Sequence, residues 1–265
     1  MKKFEFGKNW ENFLKIIDEK RIKEAENSLK KLLNLENLKG KSFLDAGCGS
    51  GLFSLAAKNL GAEVYSFDFD ENAVNCTGKL KKMYYKNDEK WIIEKGDILN
   101  KKYILLLGKF DIVYVWGVVH HTGNMWKAME NILYPVKGEG LLIISVYNDQ
   151  GLGSKCWKII KKTYNSIPFI LKPFLILIVF LRLWMPTIIK DFIRIKPFRT
   201  WKNYYKQRGM SPWYDIIDWI GGYPFEVAKP EEVVNFFSKK GFKLEKIKTC
   251  GRGHGCNEFI FRKIN

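Results

Sequence analysis

Residues Ser42-Phe43-Leu44-Asp45-Ala46-Gly47-Cys48-Gly49-Ser50-Gly51 carry the reading of this chain. A short apolar run ends in a carboxylate, glycines follow at alternate positions, and an apolar helical pattern begins at Leu52. Glycine in such a strand-to-helix turn permits positive φ and lets a ligand approach backbone N–H groups that a side chain would hold away. The spacing is Gly-x-Gly-x-Gly, not the Gly-x-Gly-x-x-Gly that cradles a dinucleotide pyrophosphate. A carboxylate just ahead of bare N–H donors suits a ligand with both an ammonium and a carboxylate group. The turn alone is weak evidence, so the ends of the later strands decide its meaning.

Those strands repeat the pattern. Leu52 to Leu60 reads as a helix stopped by Gly61, and Val64 to Asp68 as strand two. Its terminal acid, Asp68, stands where an α/β nucleotide site places a carboxylate for ribose hydroxyls. Glu71 to Tyr85 is helical, and Trp91 to Lys95 is strand three, leaving through Gly96-Asp97-Ile98. Phe110 to Trp116 is continuously apolar, as a buried parallel strand should be, and ends in Gly117-Val118-Val119-His120-His121. Met125 to Leu133 is helical, and Leu141 to Val146 is strand five, leaving through Tyr147-Asn148-Asp149. Helix Pro230 to Lys240 precedes a hairpin of Lys243 to Thr249 with Glu258 to Arg262. This alternation predicts an α/β doubly wound, mostly parallel sheet with its ligand at the strand C-termini. Upstream, Trp10, Phe13, Leu14, Ile17, Ile22, Ala25, Leu29 and Leu33 recur at helical spacing. They predict one or two amphipathic helices that pack on the sheet and close one side of the ligand pocket.

At 265 residues the chain is long enough for one α/β domain with an insertion. Its formal net charge is +17, unevenly spread. Lys155 to Arg208 holds thirteen Lys and Arg against one acid, Asp191, so this stretch carries +12 of the total. Such a balance points to an anionic partner, either a membrane surface or nucleic acid. Five cysteines without a paired framework fit a reducing cytoplasm, and Met1 to Glu5 lacks the apolar run of a secretory signal.

With these strand ends in register, the sequence resembles the class I S-adenosylmethionine-dependent methyltransferases. It is most similar to ubiquinone-biosynthesis-type O-methyltransferases and to bacterial small-molecule and glycan methyltransferases. The resemblance covers about 41–147 and 226–263 and rests on Leu44 to Gly51 taken together with Asp68 and Asp97. It implies a seven-stranded sheet in the order 3-2-1-4-5-7-6 with strand seven antiparallel. It also implies S-adenosyl-L-methionine as cofactor: Asp45, Gly47, Cys48, Gly49 and Gly51 at its methionine part, Asp68 with Phe69 at the ribose, Asp97 with Ile98 at the adenine, and Trp116 beside them. The domain reading is an N-terminal helical segment (1–40), a methyltransferase domain (41–147 and 226–265) and an inserted helical cap for substrate (148–225).

Methyl transfer needs alignment and a base near the acceptor. His121 and His120 follow strand four, and an imidazole titrates near neutrality. By position in the related enzymes His121 is the expected base, with His120, Tyr147 and His254 as alternatives. Asn148, Trp213, Tyr223 and Arg252 are the candidate substrate contacts. Arg252 lies in the glycine-rich turn 250–257, suited to an anionic substrate group, and Asp215, Asp218 and Trp219 are further candidates for the acceptor wall. Cys250, His254 and Cys256 lack a fourth ligand at any recognisable zinc spacing, so no metal is expected.

Within the insertion, 173–181 is the most apolar stretch, and Lys172, Arg182 and two prolines interrupt it before the roughly 20 residues of a spanning helix. Two readings follow: a buried cap helix, or an interfacial helix whose flanking Lys158, Lys161, Lys162, Lys190, Arg194, Lys196 and Arg199 meet anionic headgroups. The expected activity is methyl transfer to an oxygen of a small-molecule, glycan or lipid-linked acceptor, in the cytoplasm and with peripheral contact to an anionic membrane. Trp201, Tyr204 and Tyr205 among Lys202, Lys206 and Arg208 keep an RNA methyltransferase as the rival enzyme, and a non-catalytic cofactor-binding subunit as the rival non-enzyme.

Overall fold

A computed structural model describes residues 6–206, 209–251, 253 and 255–264. One seven-stranded sheet runs in the order β3-β2-β1-β4-β5-β7-β6. Its strands are β1 (Ser42–Ala46), β2 (Glu63–Asp68), β3 (Trp91–Lys95), β4 (Phe110–Val115), β5 (Val136–Tyr147), β6 (Phe242–Lys248) and β7 (Cys256–Lys263). β1 pairs in parallel with β2 and β4, and β4 with β5. β7 is antiparallel to both β5 and β6, as the resemblance implies. The chain leaves β1 toward β2 and β3, then returns to its other side for β4. That reversal opens a crevice at the C-terminal ends of β1 and β4.

Alternation along each strand divides the core into two layers. Leu44, Val113, Ile144 and Phe261 meet α6 (Met125–Asn131) and α11 (Pro230–Ser238) on one side. Phe43, Ile112, Ile143 and Ile260 face α2 (Glu19–Leu33) and α3 (Leu52–Asn59) on the other. α2 is capped by Asp18, whose side chain accepts from the Arg21 N–H, and it buries Ile22, Ala25, Leu29 and Leu33 at helical spacing. Two arginine–carbonyl hydrogen bonds tie this helix to the insertion: the Arg21 guanidinium donates to the carbonyls of Gly209 at 2.8 Å and Met210 at 2.6 Å.

Between β5 and α11 the chain builds α7 (Leu152–Ser166), α8 (Lys172–Ile193), α9 (Arg199–Lys202) and α10 (Pro212–Gly221). Trp157, Tyr164, Val179, Ile220 and Phe225 give this region its own small core. Here three expectations need correction. The prolines do not interrupt α8, which begins with Pro173 in its first turn and passes straight through Pro186. Both Pro186 and Arg182 are exposed, so the carbonyl that loses its helix partner faces water. Nor is α8 a buried cap helix, because Phe174, Leu177, Ile178, Ile189 and Phe192 are all exposed. Lys161 is not at an interface: it is fully buried inside the cap.

Smaller departures concern polar residues. β5 starts at Val136 rather than Leu141, its first turns hidden in the sequence by Lys137 and Glu139. Lys137 pairs with Asp111 at 2.9 Å, which satisfies a charge beside the sheet. A short helix α5 (Lys101–Leu106), capped by Asn100, was absent from the sequence reading.

Candidate active site

The glycine turn after β1 forms as expected, with φ of +84° at Gly47 and +80° at Gly51. A Cβ at Gly47 would lie 2.3 Å from Val118 Cγ2, so only glycine lets β1 and the loop after β4 approach this closely. The backbone donors, however, are already spent. The N–H groups of Gly47 and Cys48 donate to the Phe67 carbonyl at 2.8 and 3.1 Å, and that of Gly51 to the Cys48 carbonyl at 2.8 Å. The Gly49 N–H donates to Asp68 Oδ2 at 3.0 Å. What the turn offers a ligand is open space and a fixed carboxylate beside it, not four bare donors. Gly51 itself lies behind the cavity wall, where a Cβ would meet Thr77 Oγ1 at 2.8 Å; its place is in packing.

A cavity of about 760 Å³ opens over this turn. Asp45, Gly47, Cys48, Gly49, Asp68, Phe69, Asp97, Ile98 and Trp116 all line it, joining the ends of the first four strands as the sequence predicts. Asp68 accepts from the N–H groups of Gly49 and, at 2.9 Å, Asp70. Burial nonetheless pushes its carboxyl up to about 6, with these bonds acting in the opposite direction. Asp97 turns its carboxylate back on the Leu99 N–H at 2.8 Å, and Asn131 holds the same turn by donating to the Ile98 carbonyl at 2.8 Å. Burial beside Asp68 and Asp45 pushes the Cys48 thiol well up, so it stays neutral.

Asp45 ends a buried chain that sequence reading missed. Ser54 Oγ donates to its carboxylate at 2.5 Å. With that proton committed, the 2.8 Å contact between Ser54 and Ser66 must have Ser66 as donor. Trp91 Nε1 then donates to Ser66 at 3.0 Å. Three protons therefore point in one direction, toward the carboxylate, and each bond polarises the next. No local motif signals this, because the links come from β1, α3, β2 and β3.

Across the cavity, a 3-10 turn (Val119–His121) presents the two histidines. The His121 Nδ1 lies 2.7 Å from the Pro224 carbonyl, which assigns its proton to Nδ1 and leaves Nε2 as an acceptor. His120 has the opposite tautomer: its Nδ1 accepts from the Tyr147 N–H at 3.3 Å, so Nε2 carries the proton. That Nε2 is buried and lacks a hydrogen-bond partner within ordinary distance among the described residues. Burial, with the Lys161 charge adding to it, lowers His121 to about 3. Burial and the neighbouring His121 likewise push His120 well below its usual value. Burial pushes the Tyr147 phenol far up, so it faces the cavity as a neutral hydroxyl rather than a base.

Behind this wall sits Lys161. Its ammonium donates to the Trp219 carbonyl and lies 4.2 Å from the Trp219 ring, 4.9 Å from Phe225 and 5.5 Å from Tyr147. Burial lowers it to about 7, with Cys256 and Asp218 pulling the other way. The insertion completes the cavity with Tyr204, Met210, Asp215, Asp218 and Tyr223, and Phe6 and Trp10 of α1 (Phe6–Leu14) join the same lining, Phe6 lying 4.9 Å from His121. Among the described substrate candidates Tyr223, Asp215 and Asp218 line the cavity, whereas Asn148, Trp213 and Trp219 do not. Asn148 is a clamp outside it, donating to the Gly251 carbonyl and accepting from Asn257, each at 3.0 Å. Trp213 is exposed on α10, away from the cavity wall, and Trp219 packs on Lys161. Arg252 and His254 lie outside the described residues.

A family model described as a methyltransferase domain matches residues 17–214. The ubiquinone biosynthesis O-methyltransferase of Glaesserella parasuis is 32% identical over 109 residues, 41% of this chain and 46% of that protein. The ribosomal protein L11 methyltransferase of Thermotoga petrophila is 38% identical over 109 residues, 40% of this chain and 37% of that protein. The matched region spans less than half the length of these curated relatives. Among solved structures, the magnesium protoporphyrin IX methyltransferase of Synechocystis PCC 6803 with bound SAH superposes with a TM-score of 0.54 at 16% identity, over 92% of this chain and 84% of that one. The N-methyltransferase NodS of Bradyrhizobium japonicum does so with 0.52 at 14% identity, over 94% and 99%. These two share the fold; the family match carries the assignment further. The chain has the fold of these enzymes and belongs to this methyltransferase domain family.

Proposed function

We propose that the protein methylates an oxygen of a small or lipid-linked acceptor, with His121 as the base. The carrying observation is one cavity whose lining joins the three acids at the strand ends to His121. Its volume, about 760 Å³, lies within the range of cofactor-sized sites. In this reading Asp45 takes the ammonium of the methionine part, while Gly47, Cys48 and Gly49 form its floor. Asp68 accepts from the ribose hydroxyls beside Phe69, and Asp97 with Ile98 and Trp116 frames the adenine. Bound there, the cofactor supplies a methyl group on a sulfonium, an electrophile that needs no further activation.

The chain's remaining work is to orient a hydroxyl and accept its proton. The Pro224 carbonyl holds the His121 ring through Nδ1 and leaves Nε2 as the acceptor, and the buried His120 packs behind it. The depressed basicity supports oxygen over nitrogen. An imidazole at about 3 cannot deprotonate an alkylammonium near 10, yet a hydroxyl gaining a methyl becomes an oxonium, a far stronger acid. Asp215, Asp218 and Tyr223 form the acceptor side, where carboxylates disfavour an anionic acceptor. The same reading keeps the protein in the cytoplasm, in peripheral contact with a membrane. RNA is disfavoured because Trp201 and Tyr204 pack on Trp184, at 4.6 and 5.5 Å, rather than standing free for base stacking.

Incubation with methyl-labelled S-adenosyl-L-methionine and panels of phenols, alcohols, amines, RNA and lipid extract tests this. The expected product is a labelled ether. Label confined to nitrogen, carbon or RNA overturns the oxygen assignment, and cofactor binding without transfer to any fraction favours a non-catalytic role.

A further inference from the structure

The segment Phe169–Ile193 is long and apolar enough to cross a membrane by length and composition, yet α8 is anchored along one side to its own domain. Val179, Trp184 and Asp191 are buried, and Val179 packs with Trp157, Tyr164 and Ile220 in the cap core. The opposite stripe, Phe174, Ile178, Leu181, Met185, Ile189 and Phe192, advances by three or four residues per step and is exposed. At 1.5 Å per residue it runs about 30 Å along the cap surface. Folded soluble surfaces rarely leave so long an apolar strip uncovered. A helix held on one side by its own domain and bare on the other suits a bilayer interface rather than a span.

At its C-terminal end lies a second cavity, of about 360 Å³, separate from the active site. Arg194, Lys196, Arg199 and Lys206 line it, with Asp191 as the acid among the lining residues. The Asp191 carboxylate accepts from the Thr200 N–H at 2.7 Å and the Thr200 hydroxyl at 2.9 Å, which orient it, and Arg194 and Arg199 help to hold it ionised. Four cations thus face one carboxylate, and the lining keeps a clear excess of positive charge. Arginine forks match the geometry of phosphate oxygens.

We propose that the outer face of α8 and this basic cavity together form a docking surface for an anionic phospholipid bilayer, a lipid phosphate seating among Arg194, Lys196, Arg199 and Lys206. Charge complementarity selects this occupant. A second copy of the chain would bring one basic rim against another, whereas an anionic headgroup layer neutralises it while the strip enters the acyl boundary. The inference deepens the peripheral-membrane part of the proposed function and does not depend on which atom is methylated.

Flotation of the full chain with vesicles of phosphatidylcholine, with and without phosphatidylglycerol, tests it. Binding is expected with the anionic vesicles and should weaken as salt rises. Ile178→Glu with Leu181→Glu should abolish it. Arg194→Gln and Arg199→Gln should each lower the partition constant about fivefold. Cofactor-induced thermal stabilisation and methyl transfer to a soluble acceptor should survive in all of these variants, separating a docking failure from a failure of the enzyme. Absent binding to anionic vesicles, equal binding to neutral ones, or a lipid-independent dimer dispersed by Ile178→Glu overturns the proposal.

Discussion

Replacing Lys161 with methionine, which keeps the length and removes the charge, probes the buried wall of the active site. In the unfolded chain this lysine holds its proton up to about 10.5, whereas in the folded protein burial brings it to about 7. Between these values the unfolded state binds the extra proton, so the folded state gains stability as pH rises. Integrating from pH 7 to pH 9 yields about 2 kcal/mol for a single group with this displacement. The wild type should gain that amount over Lys161→Met across the interval, whatever their difference at pH 7. Urea denaturation followed by tryptophan fluorescence at the two pH values reads it directly. With a slope of about 3 kcal/mol/M, the wild-type midpoint should move up by roughly 0.7 M relative to the variant. The variant should also raise the pKa of His121, because the Lys161 charge is one of the causes holding it low. Parallel midpoints for the two proteins would refute the argument, since they would mean that the lysine keeps its ordinary titration.

The remaining predictions concern the cofactor, the base and one helix. Asp68→Ala removes a carboxylate whose charge-assisted hydrogen bonds are worth about 1.5–3 kcal/mol, so cofactor affinity in calorimetry should fall about tenfold to a hundredfold. Because burial raises Asp68 to about 6, wild-type affinity should also decline as pH falls through that value and the accepting carboxylate is lost. An unchanged dissociation constant in Asp68→Ala would remove Asp68 from the site. His121→Ala should lower kcat by about 10²–10⁴ while leaving cofactor affinity intact. With this imidazole at about 3, it should add no acid limb to the wild-type rate between pH 5 and 8. Gly78→Ala, inside α4 (Glu71–Tyr84) with open space at its Cβ, should stabilise the protein by about 0.5–1 kcal/mol, read as a rise of a few degrees in thermal melting.

Much of the fold was legible because the signals were local. The apolar run of β4 and the glycines after β1 act through neighbouring residues. The same holds for Asp45, Asp68 and Asp97, since a strand end in a doubly wound sheet has only one place to point. Harder were features whose partners are distant in the chain. The fate of Lys161 depends on Trp219 and Phe225, and a basic run gives no hint which of its lysines turns inward. Asn148 looked like a substrate contact until Asn257 and Gly251 claimed both ends of its amide. The proton chain from Trp91 to Asp45 crosses four elements and has no linear trace.

From its amino-acid order alone this protein was committed to a glycine turn, a nucleotide-type crevice and a methyl-donor site, because period, turn chemistry and strand-end acids are short-range properties. Only tertiary packing decided that α8 would show an apolar face to the outside, that one lysine would lose most of its basicity among aromatic rings, and that two adjacent histidines would take opposite tautomers. Each of those outcomes depends on what distant parts of the chain place around a group: packing partners for α8, desolvation for Lys161, and hydrogen-bond partners for the two imidazoles.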